Sequence, residues 1–198
     1  MSWSVLASVL VFGFVTSITP GPNNTFLFTS GANFGVRRSL PYANGIIAGL
    51  SLMMVAIGAG LGVIFATLPA IYQTLKWVGF AYIVYMAWLI ARSSGGSETG
   101  EARYIGFGRS VAFQFINPKA WIIMSAFMAT FIQTDKPLLT NLTVCAVFLV
   151  VTWPGGVIWA AGGQVLSRWL ANAARRRVFN ITAAVLLVAS MVPVLTLH

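Results

Sequence analysis

Apolar residues fill nearly every position from Trp3 to Ala32, and the interruption is ITPGPNN, Ile18 to Asn24. Five further apolar runs follow, at about 41–66, 70–91, 107–132, 139–163 and 179–197. A hydrocarbon layer of ~30 Å takes ~20 apolar residues per helix, so each run is long enough to span one. The first run, about 3–32, is too long for one straight helix and predicts a break at Pro20–Pro22. The fourth run carries a second interruption near its start, QFINPK, Gln114 to Lys119. The pattern predicts an all-α polytopic membrane protein with about six transmembrane helices, of which helices 1 and 4 are interrupted.

The polar connections set the orientation. The first carries Arg37 and Arg38, the third Arg92, Arg103 and Arg109, and the fifth Arg168, Arg175, Arg176 and Arg177. The second and fourth carry only Lys76 and Lys136. Basic loops stay in the cytoplasm, so both termini are expected outside, or the N-terminus inside if the first run does not span fully. Three helices per half turn the second half over relative to the first, which is the inverted-repeat plan of many secondary transporters. The halves are expected at 1–92 and 107–198, joined by a flexible cytoplasmic linker at 93–106 that contains SSGGSETGEA. No basic residue precedes the first run, so Trp3 onward reads as mature helix rather than a signal peptide.

Composition agrees and narrows the chemistry. The chain is 58% hydrophobic and 8% charged, with a mean hydropathy of +0.86, whereas a soluble domain carries about 25% charged residues. The net charge of +9 sits in short loops, where it fixes topology and meets anionic lipid headgroups; it is not a nucleic-acid surface. Three acids and one histidine, His198, leave no base for a Ser–His or metal mechanism, so neither catalysis, a metal site nor a cofactor is expected. Cys145 is the only cysteine and is assigned to helix packing.

A helix broken inside a bilayer frees backbone groups that hydrocarbon cannot satisfy, so such breaks line cavities or lie buried in protein. Pro20 and Pro22 lack N–H donors, and Gly21 supplies the permissive backbone between them. Pro22 suits the first position of a new half-helix, where the missing donor costs nothing. The N–H groups of Asn23, Asn24 and Thr25 are then free at the positive end of a helix dipole, which suits a carboxylate. The carbonyls of Thr16, Ser17 and Ile18, freed upstream, suit an ammonium. The second break repeats the grammar, with Asn117 as N-cap and Pro118 at the first helical position. Lys119 follows and is read as the only charge within a span, Lys76 and Arg109 being assigned to the connections. It needs a cavity or a partner: backbone carbonyls, water or a substrate carboxylate, the alternative being that it snorkels to the interface. Gln114, about one turn from Asn117, lines the same cavity.

No Asp or Glu lies in any expected span. That argues against a dedicated carrier of cations or metals and favours a zwitterion with a neutral side chain. Lys119 is then the one group available for proton coupling. Gly45 and Gly49 form GxxxG, as do Gly58 and Gly62, and Gly155, Gly156, Gly162 and Gly163 serve the fifth run likewise. Such stripes let helices approach closely, within one chain or across a homodimer.

These stretches carry a resemblance. ITPGPNN, GANFGVRRS (Gly31 to Ser39), YANGIIAG (Tyr42 to Gly49), GFAYIVYMAW (Gly79 to Trp88) and FQFINPKAW (Phe113 to Trp121) resemble the LysE/RhtB family of bacterial amino-acid exporters. The resemblance runs almost end to end and is weakest after Asp135. The family's PGPN falls on Pro20, Gly21, Pro22 and Asn23, and its NPK on Asn117, Pro118 and Lys119. Ser39 stands where many members have a glycine. The first half looks most like the branch exporting cysteine and O-acetylserine, with homoserine and threonine exporters close behind. The resemblance implies a small carrier in the bacterial inner membrane, driven by the proton gradient. Its partners would be an amino-acid substrate, protons and lipid. The competing readings are a carrier of another solute or metal, an intramembrane enzyme, and a non-transporting scaffold.

Overall fold

The structure is a computed structural model that describes residues 2–61, 69–92, 106–133, 135–167 and 169–192. Eight α-helices are present among them: α1 (Trp3–Ile18), α2 (Pro22–Phe34), α3 (Val36–Ala56), α4 (Pro69–Arg92), α5 (Phe107–Ile116), α6 (Pro118–Phe131), α7 (Leu138–Ser167) and α8 (Ala173–Ala189). A π-turn, Ile57–Leu61, extends α3, and a 3-10 turn, Trp169–Ala171, precedes α8. Both expected interruptions are real. α1 and α2 meet at a 59° bend across Thr19–Gly21, and Asn117 alone separates α5 from α6. Val36–Gly60 and Leu138–Ser167 are each long and apolar enough to cross a membrane, and α1 with α2 qualifies as one broken span. The expected linker at 93–106 lies outside the described residues except for Gly106.

The helix ends follow from local chemistry. The Ser2 hydroxyl accepts from Val5 N at the start of α1. Gly35, at φ +80°, ends α2 in a conformation that other residues rarely adopt. The N-terminus of α3 then takes a cap from another helix, as Val36 N donates to Gln164 Oε1 of α7 at 2.6 Å. Asn172 caps α8 by accepting from Ala174 N and Arg175 N.

Polarity is arranged for lipid. Trp3, Leu139, Val165 and Val150 are at least 70% exposed, whereas Gln114 and Ser110 are fully buried. The interior is held by close backbone approach rather than by a hydrophobic drive between helices. α2 and α7 are seated reciprocally: a Cβ on Gly31 would strike the Ala160 carbonyl, and one on Gly163 would strike the Phe28 carbonyl. Gly45 and Gly49 face α5, at Phe107 O, Ser110 and Gln114, so this GxxxG packs within the chain. Gly58 faces Met128, and Gly62 lies outside the described residues. The architecture is that of an all-α polytopic membrane protein.

Two expectations about charge are corrected. Arg37, Arg38, Arg109, Arg175 and Arg176 lie in the first turns of helices, Arg177 just after, and Arg92 in the last turn of α4, not in separate loops, while Arg103 and Arg168 lie outside the described residues. Lys76 lies inside α4 and is only 3% exposed, so Lys119 is not the only charge within a helical run. The long methylene stem of Lys76 makes this burial compatible with an apolar helix interface.

Candidate functional site

The two breaks meet. Lys119, at the second position of α6, extends its side chain over Gly21, where a Cβ would lie 2.6 Å from Nζ. Its ammonium donates to Pro20 O at 2.6 Å and to Thr19 O at 3.2 Å. These carbonyls follow the C-terminus of α1, the negative end of its dipole, so the cation is stabilised twice, by hydrogen bonds and by the helix field. Of the expected partners Lys119 takes the backbone carbonyls.

The other freed carbonyl is shared. Asn24 Nδ2 donates to Ser17 O at 2.7 Å and to Thr19 O at 2.9 Å. The Trp159 indole of α7 donates to the same Ser17 O at 3.2 Å. Of the three upstream carbonyls expected to receive a solute ammonium, that of Ser17 is thus held, in this conformation, by the protein's own donors. At the start of α2, Thr25 N already bonds Gly21 O at 2.9 Å and is not free as expected. The N–H groups of Asn23 and Asn24 precede the first intrahelical bond and remain the positive end of α2.

Asn23 turns the opposite way from Asn24. Its amide pairs reciprocally with Gln114: Asn23 Nδ2 donates to Gln114 Oε1 at 2.8 Å, and Gln114 Nε2 donates to Asn23 Oδ1 at 3.1 Å. The Tyr42 hydroxyl adds a bond to Asn23 Oδ1 at 3.2 Å, and the Ser110 hydroxyl donates to Tyr42 O at 2.8 Å. This closed network joins α2, α3 and α5 across the two halves of the chain. The second break is capped as expected. Asn117 Oδ1 accepts from Lys119 N at 3.2 Å, and the Trp121 indole donates to Phe115 O at 2.8 Å. Gly79 of α4 lies against the Ile116 carbonyl and 3.0 Å from Pro118 Cδ for a built Cβ, which backs the break with helix.

A cavity of about 70 Å³ opens between the breaks. Gly21, Pro22, Asn23, Asn24, Asn117 and Lys119 line it, together with Thr16, Thr152 and Trp153. Three of the expected residues do not: Pro20 offers its carbonyl to Lys119, Pro118 packs on Gly79, and Gln114 is fully buried behind Asn23. The apolar wall of Ile46, Leu50, Met124 and Phe148 comes from α3, α6 and α7. Tyr42, Ser110, Trp153 and Trp159 carry no local mark in sequence that separates them from ordinary helix residues; only the packing brings them to the breaks.

The profile of the LysE type translocator family matches residues 14–196. The chain is 32% identical over 190 residues to the cysteine/O-acetylserine efflux protein of Escherichia coli strain K12, covering 95% of this chain and 96% of that one. It is 30% identical, over the same shares, to the protein of that name from Salmonella typhimurium. No solved structure matches the chain. With a profile that spans both breaks and relatives aligned almost end to end, this chain belongs to the LysE type translocator family.

Proposed function

We propose that this protein is an inner-membrane secondary transporter that exports small neutral amino acids or their derivatives, in the class of cysteine and O-acetylserine, driven by the proton gradient. The observation that carries the reading is the meeting of both helix breaks at a small cavity with Lys119 on its wall. The cavity is small, about 70 Å³ against ~300–1,000 Å³ for pockets of drug-sized ligands, so a solute with a short side chain requires the least widening of it. The relatives are named for efflux of cysteine and O-acetylserine, which agrees with a neutral side chain.

Binding is an exchange of partners. The solute carboxylate takes the Lys119 ammonium, aided by the positive end of α2 at Asn23 and Asn24. The carbonyls of Thr19 and Pro20, released by Lys119, then receive the solute ammonium. A zwitterion satisfies both sides at once, whereas a neutral or singly charged solute leaves one unpaired in a low-dielectric site. Lys119 is the titratable side chain lining the cavity and so the residue through which protons couple.

The two halves, 1–92 and 107–198, are taken as inverted repeats that rock against each other. Their packing supports this: broken α1 and α2 lie on α7 of the other half, α5 lies on α3, and α4 lies on α8. The basic helix ends at Arg37, Arg92, Arg109 and Arg176 mark the cytoplasmic side. The protein acts as a carrier and not as an enzyme.

The test is efflux from liposomes loaded with a mixture of labelled amino acids, under an imposed pH gradient, with Lys119→Ala as control. Selective, gradient-dependent loss of small neutral amino acids is the expected result. Retention of every amino acid by correctly inserted protein would overturn the reading in favour of another solute or a scaffold.

A further inference from the structure

A second, larger cavity of about 470 Å³ lies at the other end of α1, between Ser2, Val5, Thr130, Phe131, Thr140 and Val144. Lys136 and Asn141 also face it. Three helices run from this cavity to the one at the breaks, and each carries its residues in the same spatial order. On α1 the order is Val5, Phe12, Thr16; on α6, Phe131, Phe127, Met124; on α7, Val144, Phe148, Thr152. Between the cavities stand four phenylalanine rings in one contiguous cluster. Phe127 and Phe148 lie 4.4 Å apart by centroid, Phe127 and Phe131 5.3 Å, and Phe12 touches Phe131, Phe127 and Phe148 at 5.7, 6.1 and 6.1 Å. Phe148 lines the inner cavity and Phe131 the outer one, so the cluster is the partition between them.

We propose that Phe12, Phe127, Phe131 and Phe148 form the closed outer gate of the transport path, and that the cavity beyond them is the vestibule through which solute leaves. This inference rests on the exporter reading above. A zwitterion cannot pass four packed rings without losing its water, and apolar surroundings offer it nothing in return. Hydrophobic constrictions close pores in the same way, by excluding water. The packing also indicates which element moves. Gly13 seats α1 against Val151, and Gly155 seats α7 against Ser17, so α1 and α7 form one close-packed unit. At the level of the gate α6 meets that unit through Phe127 and Phe131. The gate opens when α6 withdraws from α1 and α7, and α6 also carries Lys119, so a change at the Lys119 ammonium is transmitted along one helix to the rings.

The test uses cysteine accessibility in the full chain. Cys145 is the only native cysteine, so Cys145→Ser gives a silent background. Thr16→Cys reports the inner cavity and Thr140→Cys the vestibule. A membrane-impermeant maleimide is applied from the face at which Thr140→Cys reacts. We expect Thr16→Cys to react about tenfold or more faster when Phe12→Ala is added, the fold-change of a barrier lowered by ~1.4 kcal/mol. Phe12→Leu should give a smaller increase and Phe12→Trp none, while Thr140→Cys reacts alike in all. Equal Thr16→Cys rates with and without Phe12→Ala in correctly inserted protein would overturn the gate. Where the alanine variant does not insert, equal rates with and without Phe12→Leu overturn it instead. The readout needs no substrate. Faster labelling without amino-acid efflux keeps the gate and sinks the exporter reading; efflux without faster labelling does the reverse.

Discussion

The Lys119 ammonium donates to the Pro20 carbonyl at 2.6 Å, although 99 positions of sequence separate the two residues. One bond therefore ties the first break to the second, and it places a cation where a helix ends in carbonyls without intrahelical partners. Such a bond is a fold element, and under the proposed function a binding element as well, because any anionic solute group that enters must compete for it. Charge-assisted bonds of this kind contribute about 1.5–3 kcal/mol.

Lys119→Ala should abolish efflux while the protein still reaches the membrane. Lys119→Arg should retain only part of the activity, since the planar guanidinium has a different reach and geometry from the point-like ammonium beside Gly21. Liposome efflux rates, read against the amount of inserted protein, check both. Wild-type rates for the alanine variant would remove Lys119 from the mechanism.

Gly21→Ala should slow efflux and cost at most the ~1.5–3 kcal/mol of the Lys119–Pro20 bond in stability. Its Cβ would sit 2.6 Å from Lys119 Nζ, so the flexible end of the lysine must shift and lose Pro20 O. The melting temperature in detergent and the efflux rate, measured on one preparation, separate the two effects.

Asn23→Ala and Gln114→Ala should not be additive. The two amides exchange a reciprocal pair of hydrogen bonds at 2.8 and 3.1 Å, so each single variant already removes both bonds of the pair, leaving Gln114 only Ser110 O or Asn23 only the Tyr42 hydroxyl, and the double variant adds little more. A double-mutant cycle on unfolding should give a coupling of ~1–2 kcal/mol. Additive losses would mean the pair does not form in the membrane.

Asn24→Ala should weaken both substrate affinity and the fold, because Asn24 lines the cavity and also holds Ser17 O and Thr19 O. Asn24→Asp keeps the size but loses the donor, and should fail similarly. Concentration dependence of efflux, together with thermal stability, tests this.

Gly31→Ala and Gly163→Ala should each destabilise by ~1–3 kcal/mol or more, as overpacked cores do. In both, the new Cβ meets backbone rather than a movable side chain. Gly108→Ala is the contrast: nothing lies within 4 Å of its Cβ, and a helical alanine should be neutral or stabilising by ~0.5–1 kcal/mol. Thermal shifts in detergent rank the three.

The lipid-facing class and the places where helices break were both readable from the order of residues. Both are local properties: apolar runs of sufficient length, and prolines that remove donors at Pro20, Pro22 and Pro118. Asn117 was legible as a cap for the same reason, since a cap acts within three residues. Which partners satisfy the groups that the breaks release is a matter of the three-dimensional arrangement. Ser17 O goes to Asn24 and Trp159, Thr19 O to Asn24 and Lys119, and Asn23 to Gln114 and Tyr42. The pairing depends on which helices lie side by side, which is set by glycine contacts such as Gly31 on Ala160 and Gly49 on Gln114, between residues far apart in the chain. The burial of Lys76 and the four-ring partition have the same origin. Periodicity along one helix marks a buried face, but the neighbour that covers it comes from close packing between helices.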